Sequence, residues 1–175
     1  PQDNWYPGGT WAVTTDGGRD NTPAWSDSPT DYVKPSRSVL EYRKIINVSG
    51  TDKPTLYFFT KFALGDTADR LYVETSTDNG YTWSATPLWS NPERNNLGWH
   101  RVQADLGPLK ATPFRLRFRM ETMNTNPVGD GWYIDNVTFF DRKFLTAYGL
   151  SLTDEFNDLS RWVAEGSWTA VPTMW

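Results

Sequence analysis

Phe114-Arg115-Leu116-Arg117-Phe118-Arg119-Met120 alternates apolar and charged residues without a break. Side chains of an extended chain point to opposite faces in turn, so this stretch predicts a strand. Phe114, Leu116, Phe118 and Met120 would enter a core, and Arg115, Arg117 and Arg119 would leave it. Three guanidinium groups in a row suit either of two roles. They could line an anion- or carboxylate-binding face, or pair across strands with acidic residues such as Glu74 and Asp105. Pairing is the simpler reading.

The same logic extends along the chain. In Arg70–Thr75, Leu71 and Val73 share one face, and Arg70, Tyr72 and Glu74 the other. Pro54–Leu64 (PTLYFFTKFAL) is almost continuously apolar, which predicts a strand buried on both faces. Thr10–Thr15, Ser38–Val48, Trp99–Leu106 and Trp132–Phe140 read as further strands. A turn at Asp78-Asn79-Gly80 precedes a return strand around Trp83–Trp89. Residues 1–37 otherwise read as long Trp- and turn-rich loops. With 10 Trp, 8 Tyr, 9 Phe, 13 Gly and 12 Pro in 175 residues, helices are disfavoured and pleated surfaces favoured. The prediction is an all-β chain, two antiparallel sheets packed face to face with long Trp/Gly/Pro-rich loops.

Charge and composition exclude several functions. Lys+Arg 17 against Asp+Glu 21 gives a net charge of −4, unsuited to a phosphate backbone, so nucleic acid is not expected as a partner. Zero Cys removes disulfides, thiol nucleophiles and thiolate zinc sites. His100 is the single histidine, so no multi-histidine centre exists. No apolar run reaches membrane-spanning length, and no membrane insertion is expected. Pro1 suggests a mature or excised segment.

The end of the chain repeats its beginning. Asn4-Trp5-Tyr6-Pro7-Gly8-Gly9-Thr10-Trp11-Ala12-Val13 resembles Arg161-Trp162-Val163-Ala164-Glu165-Gly166-Ser167-Trp168-Thr169-Ala170-Val171. In both, two Trp lie six residues apart, with Gly and then Thr or Ser before the second. Residues 1–143 then read as one repeat, 144–153 as a connector and 154–175 as the first strand of a following repeat or an assembly strand. Phe156, Trp162, Trp168 and Trp175 would need cover. Either the segment folds back on its own domain, or it completes a neighbouring copy of this chain by strand addition at an open edge, giving a head-to-tail array.

Two motifs carry a family resemblance. Ser76-Thr77-Asp78-Asn79-Gly80-Tyr81-Thr82-Trp83 fits S-x-D-x-G-x-T-W, the Asp-box pattern, and Gly131-Trp132-Tyr133-Ile134-Asp135-Asn136-Val137 lies near the end of the domain. With Ala24-Trp25-Ser26-Asp27-Ser28-Pro29 and Phe156-Asn157-Asp158, they resemble the MAM-like, concanavalin-like jelly rolls of bacterial secreted and surface proteins. Accessory domains of immune-inhibitor-A-type metallopeptidases and modules of tandem-repeat exoproteins are similar. The resemblance implies a jelly roll and leaves function open. It also implies a structural Ca2+ tying N-terminal loops to the last strand, with Asp135 as ligand, Asp27 as partner, and Asp31 and Asp130 as further candidates. Where the family usually has an acidic residue after Phe, this chain has Asn157. Asp135 as a plain cap of loop amides remains the alternative.

The Asp box also has a local explanation. Asp78 and Ser76 can bond the turn backbone, Gly80 supplies positive φ, and Trp83 packs back over the hairpin. Sialidases carry several such boxes; one copy without their Tyr and Arg constellation does not make a sialidase. Catalytic groups are thin: Asp66/Asp69 and Asp130/Asp135 read as turns or cation ligands, and His100 as a cross-strand residue. The expected function is a non-catalytic extracellular structural or adhesive repeat that assembles with copies of itself into a surface filament or stalk. The alternative is a carbohydrate-binding accessory module of a secreted hydrolase or peptidase, with Trp89, Trp99 and Trp132 stacking a polysaccharide.

Overall fold

A computed structural model describes residues 2–15, 17–28, 31–32, 35–123 and 127–142. The connector 144–153 and the segment 154–175, with Phe156, Trp162, Trp168 and Trp175, lie outside the described residues. The chain forms β1 (Trp5–Gly8), β2 (Ala12–Thr14), β3 (Ala24–Ser26), β4 (Ser36–Tyr42) and β5 (Pro54–Ala63). These are followed by β6 (Arg70–Ser76), β7 (Trp89–Ser90), β8 (Asn95–Asp105), β9 (Arg115–Thr122) and β10 (Gly131–Asp141). Each of the two sheets has five strands, β1-β4-β9-β6-β7 in the first and β2-β3-β10-β5-β8 in the second. Every pairing between them is antiparallel. No helix among the described residues is long and apolar enough to cross a membrane.

Alternation builds the interior. From the first sheet, Leu40, Leu71, Val73, Leu116, Phe118 and Met120 are fully buried. From the second, Leu56, Phe58, Phe62, Trp132 and Ile134 meet them. The opposite faces of β9 and β6 carry Arg115, Arg117, Arg119, Tyr72 and Glu74, as their period of two requires.

Three elements differ from expectation. Pro54–Ala63 is buried on one face only, because its other face, Tyr57 and Phe59, is half-buried under the guanidiniums of Arg101 and Arg19. The return segment after the Asp box forms only the two-residue β7. It is tied to β6 by sparse bonds, Ser84 N–H to the Thr75 carbonyl and Leu88 N–H to that of Val73, both 2.8 Å. In the aromatic N-terminal region, β1 and β3 are strands that alternation does not reveal. β1 contains Pro7 and sits at a sheet edge, where a missing N–H costs no ladder bond.

Candidate functional site

The four acidic residues expected at a cation do not gather into one centre. Asp27 follows β3, is 1% exposed, and its Oδ1 accepts the Trp132 N–H at 2.5 Å. Asp130 lies close enough to act on it electrostatically and takes the Tyr133 hydroxyl at 3.0 Å. Asp31 is exposed. Asp135 spends its carboxylate elsewhere, accepting the N–H groups of Arg19 (3.2 Å) and Asn136 (2.7 Å) and the Thr22 hydroxyl (3.3 Å). That is the capping role, tying the Arg19–Asn21 turn to β10. Among the described residues no three acidic or histidine side chains group together as metal ligands, and a calcium ion held by Asp27 and Asp130 would need backbone or water oxygens to complete its shell.

Glycine makes the Asp27 contact possible. Gly131 has φ +94, and a Cβ there would sit 2.3 Å from Asp27 Oδ1 and 2.9 Å from Ser28 Oγ, which is buried without a partner. Burial, with a smaller push from Asp130, raises the Asp27 carboxyl from 3.8 to about 7. Folding therefore favours the proton on Asp27. Its contribution to stability is full below the unfolded value and falls as pH rises toward 7. Over pH 5–7.5 the wild-type Tm is expected to drop by roughly 5 °C more than that of Asp27→Asn, which keeps the acceptor oxygen without the charge. Parallel melting curves for the two proteins would show that Asp27 ionises freely in the folded state. A calcium-induced rise in Tm confined to pH above about 7 would mark an ion displacing that proton.

The candidate carboxylate pairs and histidine are also committed to structure. Asp69 is fully buried, taking the Tyr32 hydroxyl at 2.5 Å and the Met123 N–H at 3.0 Å, while Asp66 caps the Ala68 N–H. His100 packs edge-on to Phe62, with ring centroids 5.9 Å apart.

Of the three candidate sugar platforms, one is internal and one is packed against it. Trp132 is 0% exposed and lies in the core, so it has no ring face open to a ligand. Trp89 is half-buried, stacked on Trp132 at 6.0 Å and packed against Phe58 and Phe62. Trp99 reaches the outer face of the second sheet, where its Nε1–H meets the Gly17 carbonyl at 3.3 Å and the Lys61 ammonium sits 5.4 Å from its ring.

Rings and charges converge instead on the outer face of the first sheet. A groove of about 410 Å3 runs over β4, β9 and β6 against the Asp-box loop, lined by Arg37, Tyr72, Tyr81, Trp83, Arg117 and Arg119. The Asp box builds its wall. Ser76 Oγ–H donates to Asp78 Oδ1 at 2.7 Å and accepts the Gly80 N–H at 2.8 Å, and Asp78 takes the Thr82 N–H at 2.9 Å and the Thr82 hydroxyl at 2.5 Å. These bonds to Thr82 and Ser76 hold the Asp78 carboxyl down at about 2. Asn79 and Gly80 both have positive φ, which turns the chain so that Tyr81 projects 87% exposed. Trp83 lies back against the turn, with its ring 3.9 Å from where a Cβ on Gly80 would stand, and is half-buried beneath the Arg117 guanidinium, 4.0 Å from the ring centre.

The floor is an ion-pair lattice. Register places Glu74 and Glu41 beside Arg117, and Tyr72 beside Arg119. Glu74 takes Arg117 Nε at 2.7 Å and Arg119 Nη2 at 2.6 Å, and Arg119 Nη1 reaches Glu121 at 2.7 Å. Arg115 pairs with Glu41 at 2.7 Å. The cross-strand pairing expected for the three arginines is thus present, with Glu74 as one partner. Asp105 is not another, since it stands on β8 in the second sheet and caps the Gly107 N–H. Tyr81 and Trp83 read locally as parts of the Asp-box turn, and only strand order brings Tyr72 and Arg37, which carry no motif, beside them and the arginine row. A larger hollow, about 470 Å3, opens beside the bulge in β10. Its only charged lining group is Asp135, whose oxygens are already taken.

No family model and no curated protein sequence matches the chain. Solved structures share its fold. A cleaved adhesin domain of Lys-gingipain from Porphyromonas gingivalis is 12% identical, with TM-score 0.54 over 80% of this chain and 92% of that one. A second Lys-gingipain adhesin domain gives 15% identity and 0.52 over 79% and 90%. A family 27 carbohydrate-binding module of Caldicellulosiruptor saccharolyticus, solved with mannohexaose, gives 16% and 0.50 over 78% and 85%. The chain is thus an all-β, jelly-roll-like sandwich of the architecture seen in adhesin domains and carbohydrate-binding modules.

Proposed function

We propose that the chain is a non-catalytic, extracellular glycan-binding module that holds a polysaccharide along the outer face of the first sheet. The observation carrying this reading is the groove, where Tyr81, Trp83 and Tyr72 stand beside arginine side chains. Aromatic rings stack on the apolar faces of sugars, and charged donors orient hydroxyl and carboxylate groups around them. Sharing a fold with an adhesin domain and a mannohexaose-bound module supports this reading without selecting a ligand. Hydrolysis has no support: the groove's one carboxylate, Glu74, is paired with Arg117 and Arg119, and elsewhere Asp27, Asp69, Asp78 and Asp135 serve as hydrogen-bond anchors. Head-to-tail assembly rests on Phe156, Trp162, Trp168 and Trp175, and nothing in the described domain favours it over glycan binding.

The test is native affinity electrophoresis against a panel of soluble polysaccharides. At least one polymer is expected to retard the protein. Tyr81→Ala, at an exposed position, is expected to weaken retardation about tenfold, the loss of one stacking contact, and Trp83→Ala to weaken it by removing the ring that supports the Arg117 guanidinium. Wild-type mobility on every polymer, or unchanged retardation of both variants, would remove the reading.

A further inference from the structure

We propose that the groove is specific for acidic polysaccharide, gripping the carboxylate of a hexuronate residue between Arg37 and Arg117 while the sugar ring lies against Tyr81. This rests on the glycan-binding reading and adds the ligand class.

The argument starts from charge. The whole chain is net −4, yet the groove lining holds the guanidiniums of Arg37, Arg117 and Arg119 against the single carboxylate of Glu74. Arg119 is satisfied, with both ends of its fork on Glu74 and Glu121. Arg117 commits only Nε, so its two terminal nitrogens make no hydrogen bond among the described residues. Arg37 is exposed and forms neither hydrogen bond nor ion pair among the described residues; Glu121, directly across from it, is engaged by Arg119. Burial is the main influence lowering the Arg117 guanidinium below its ordinary value; Glu74 opposes it, and the nearby charges of Arg119 and Arg37 add smaller pushes in the same direction as burial.

The chemistry of the ligand follows from those donors. Planar guanidiniums match a carboxylate, two N–H groups to two oxygens, and such charge-assisted bonds are roughly twice as strong as neutral ones. A neutral hexose offers only hydroxyls and would leave Arg37 and Arg117 no better paired than in water. A hexuronate offers both a carboxylate and an apolar ring face for Tyr81, which stands at the wall held by Asp78 and Thr82.

Isothermal titration of the protein with polygalacturonate, fully methyl-esterified pectin, neutral galactan, mannan and poly-glutamate at 50 mM NaCl tests this. Polygalacturonate is expected to bind at least tenfold tighter than its methyl ester, and Arg37→Ala to lose at least fivefold on polygalacturonate only. A Tm matching wild type controls for folding of that variant. Raising the salt to 500 mM should weaken polygalacturonate and leave neutral polymers unchanged. Equal binding of ester and acid, tighter binding of galactan or mannan, or an Arg37→Ala variant that binds as wild type would each overturn acid selectivity while leaving glycan binding standing. Poly-glutamate binding as tightly as polygalacturonate, or no binding to any saccharide, would overturn both.

Discussion

Trp132→Ala is expected to destabilise the domain by about 4 kcal/mol, lowering Tm by roughly 10–20 °C in a calorimetric scan. The ring is 0% exposed and is the largest fully buried side chain. It stacks on Trp89 at 6.0 Å and meets Trp11 and Phe118 edge-on at 5.6 and 5.7 Å, so one truncation strips contacts from both sheets. Its indole N–H donates to Thr60 Oγ1 at 2.7 Å, and that hydroxyl passes its own hydrogen to the Tyr133 carbonyl at 3.0 Å. Trp132→Phe retains most of the packing but breaks this relay, and about 1–2 kcal/mol of loss is expected. Glycan retardation by the folded fraction should be unchanged, because the ring is remote from solvent. A Trp132→Ala protein that melts like wild type and loses glycan binding would restore the ring as a sugar platform and discard its place in the core.

How far sequence reaches here depends on whether a signal is local. Phe114–Met120 announces its strand and both its faces because period-two alternation is set by the backbone alone. Glu74 as a partner of the arginines follows from the alternation of β6. Which acidic residues complete the lattice does not follow, since Glu41, Glu121 and Asp105 all alternate correctly and only strand order separates them. Trp132 shows the same limit. A Trp on a strand has a ring suited to stacking sugars or to filling a core, and the choice belongs to the opposite sheet. The acidic candidates meet a related limit: Asp27 and Asp135 lie in loop and strand positions equally able to bind amides or cations, and their amide partners come from segments about a hundred residues away. The Asp-box turn was readable because all its bonds are within a few residues.

Glu74→Ala is expected to destabilise the domain by about 3–5 kcal/mol, the range for removing one partner of a buried ion pair. Glu74 is 5% exposed and Arg119 7%, and the one carboxylate accepts from both Arg117 and Arg119. Truncation leaves two guanidiniums facing each other with Glu121 at the solvent rim and Glu41 already held by Arg115. Replacing Glu74 and Arg119 together with Met should recover most of the loss, because the desolvation cost disappears with the charges. Acid provides an independent readout. Burial pushes the Glu74 carboxyl up, but hydrogen bonds from Arg119 and then Arg117 outweigh it and hold it below its ordinary 4.5. The stability it contributes is therefore present above about 4.5 and lost as pH falls through the lower folded value, opposite in sign to Asp27. Between pH 4.5 and 2.5 the wild-type Tm should fall more steeply than that of Glu74→Gln. If the slopes match, Glu74 carries no paired charge in the folded state. The same Gln variant, folded at pH 7, removes the one negative charge lining the groove and should hold polygalacturonate more tightly than wild type. Stability and anion affinity would then move in opposite directions at one residue, as expected where a carboxylate of the protein offsets the positive charge that a carboxylate of the ligand would meet.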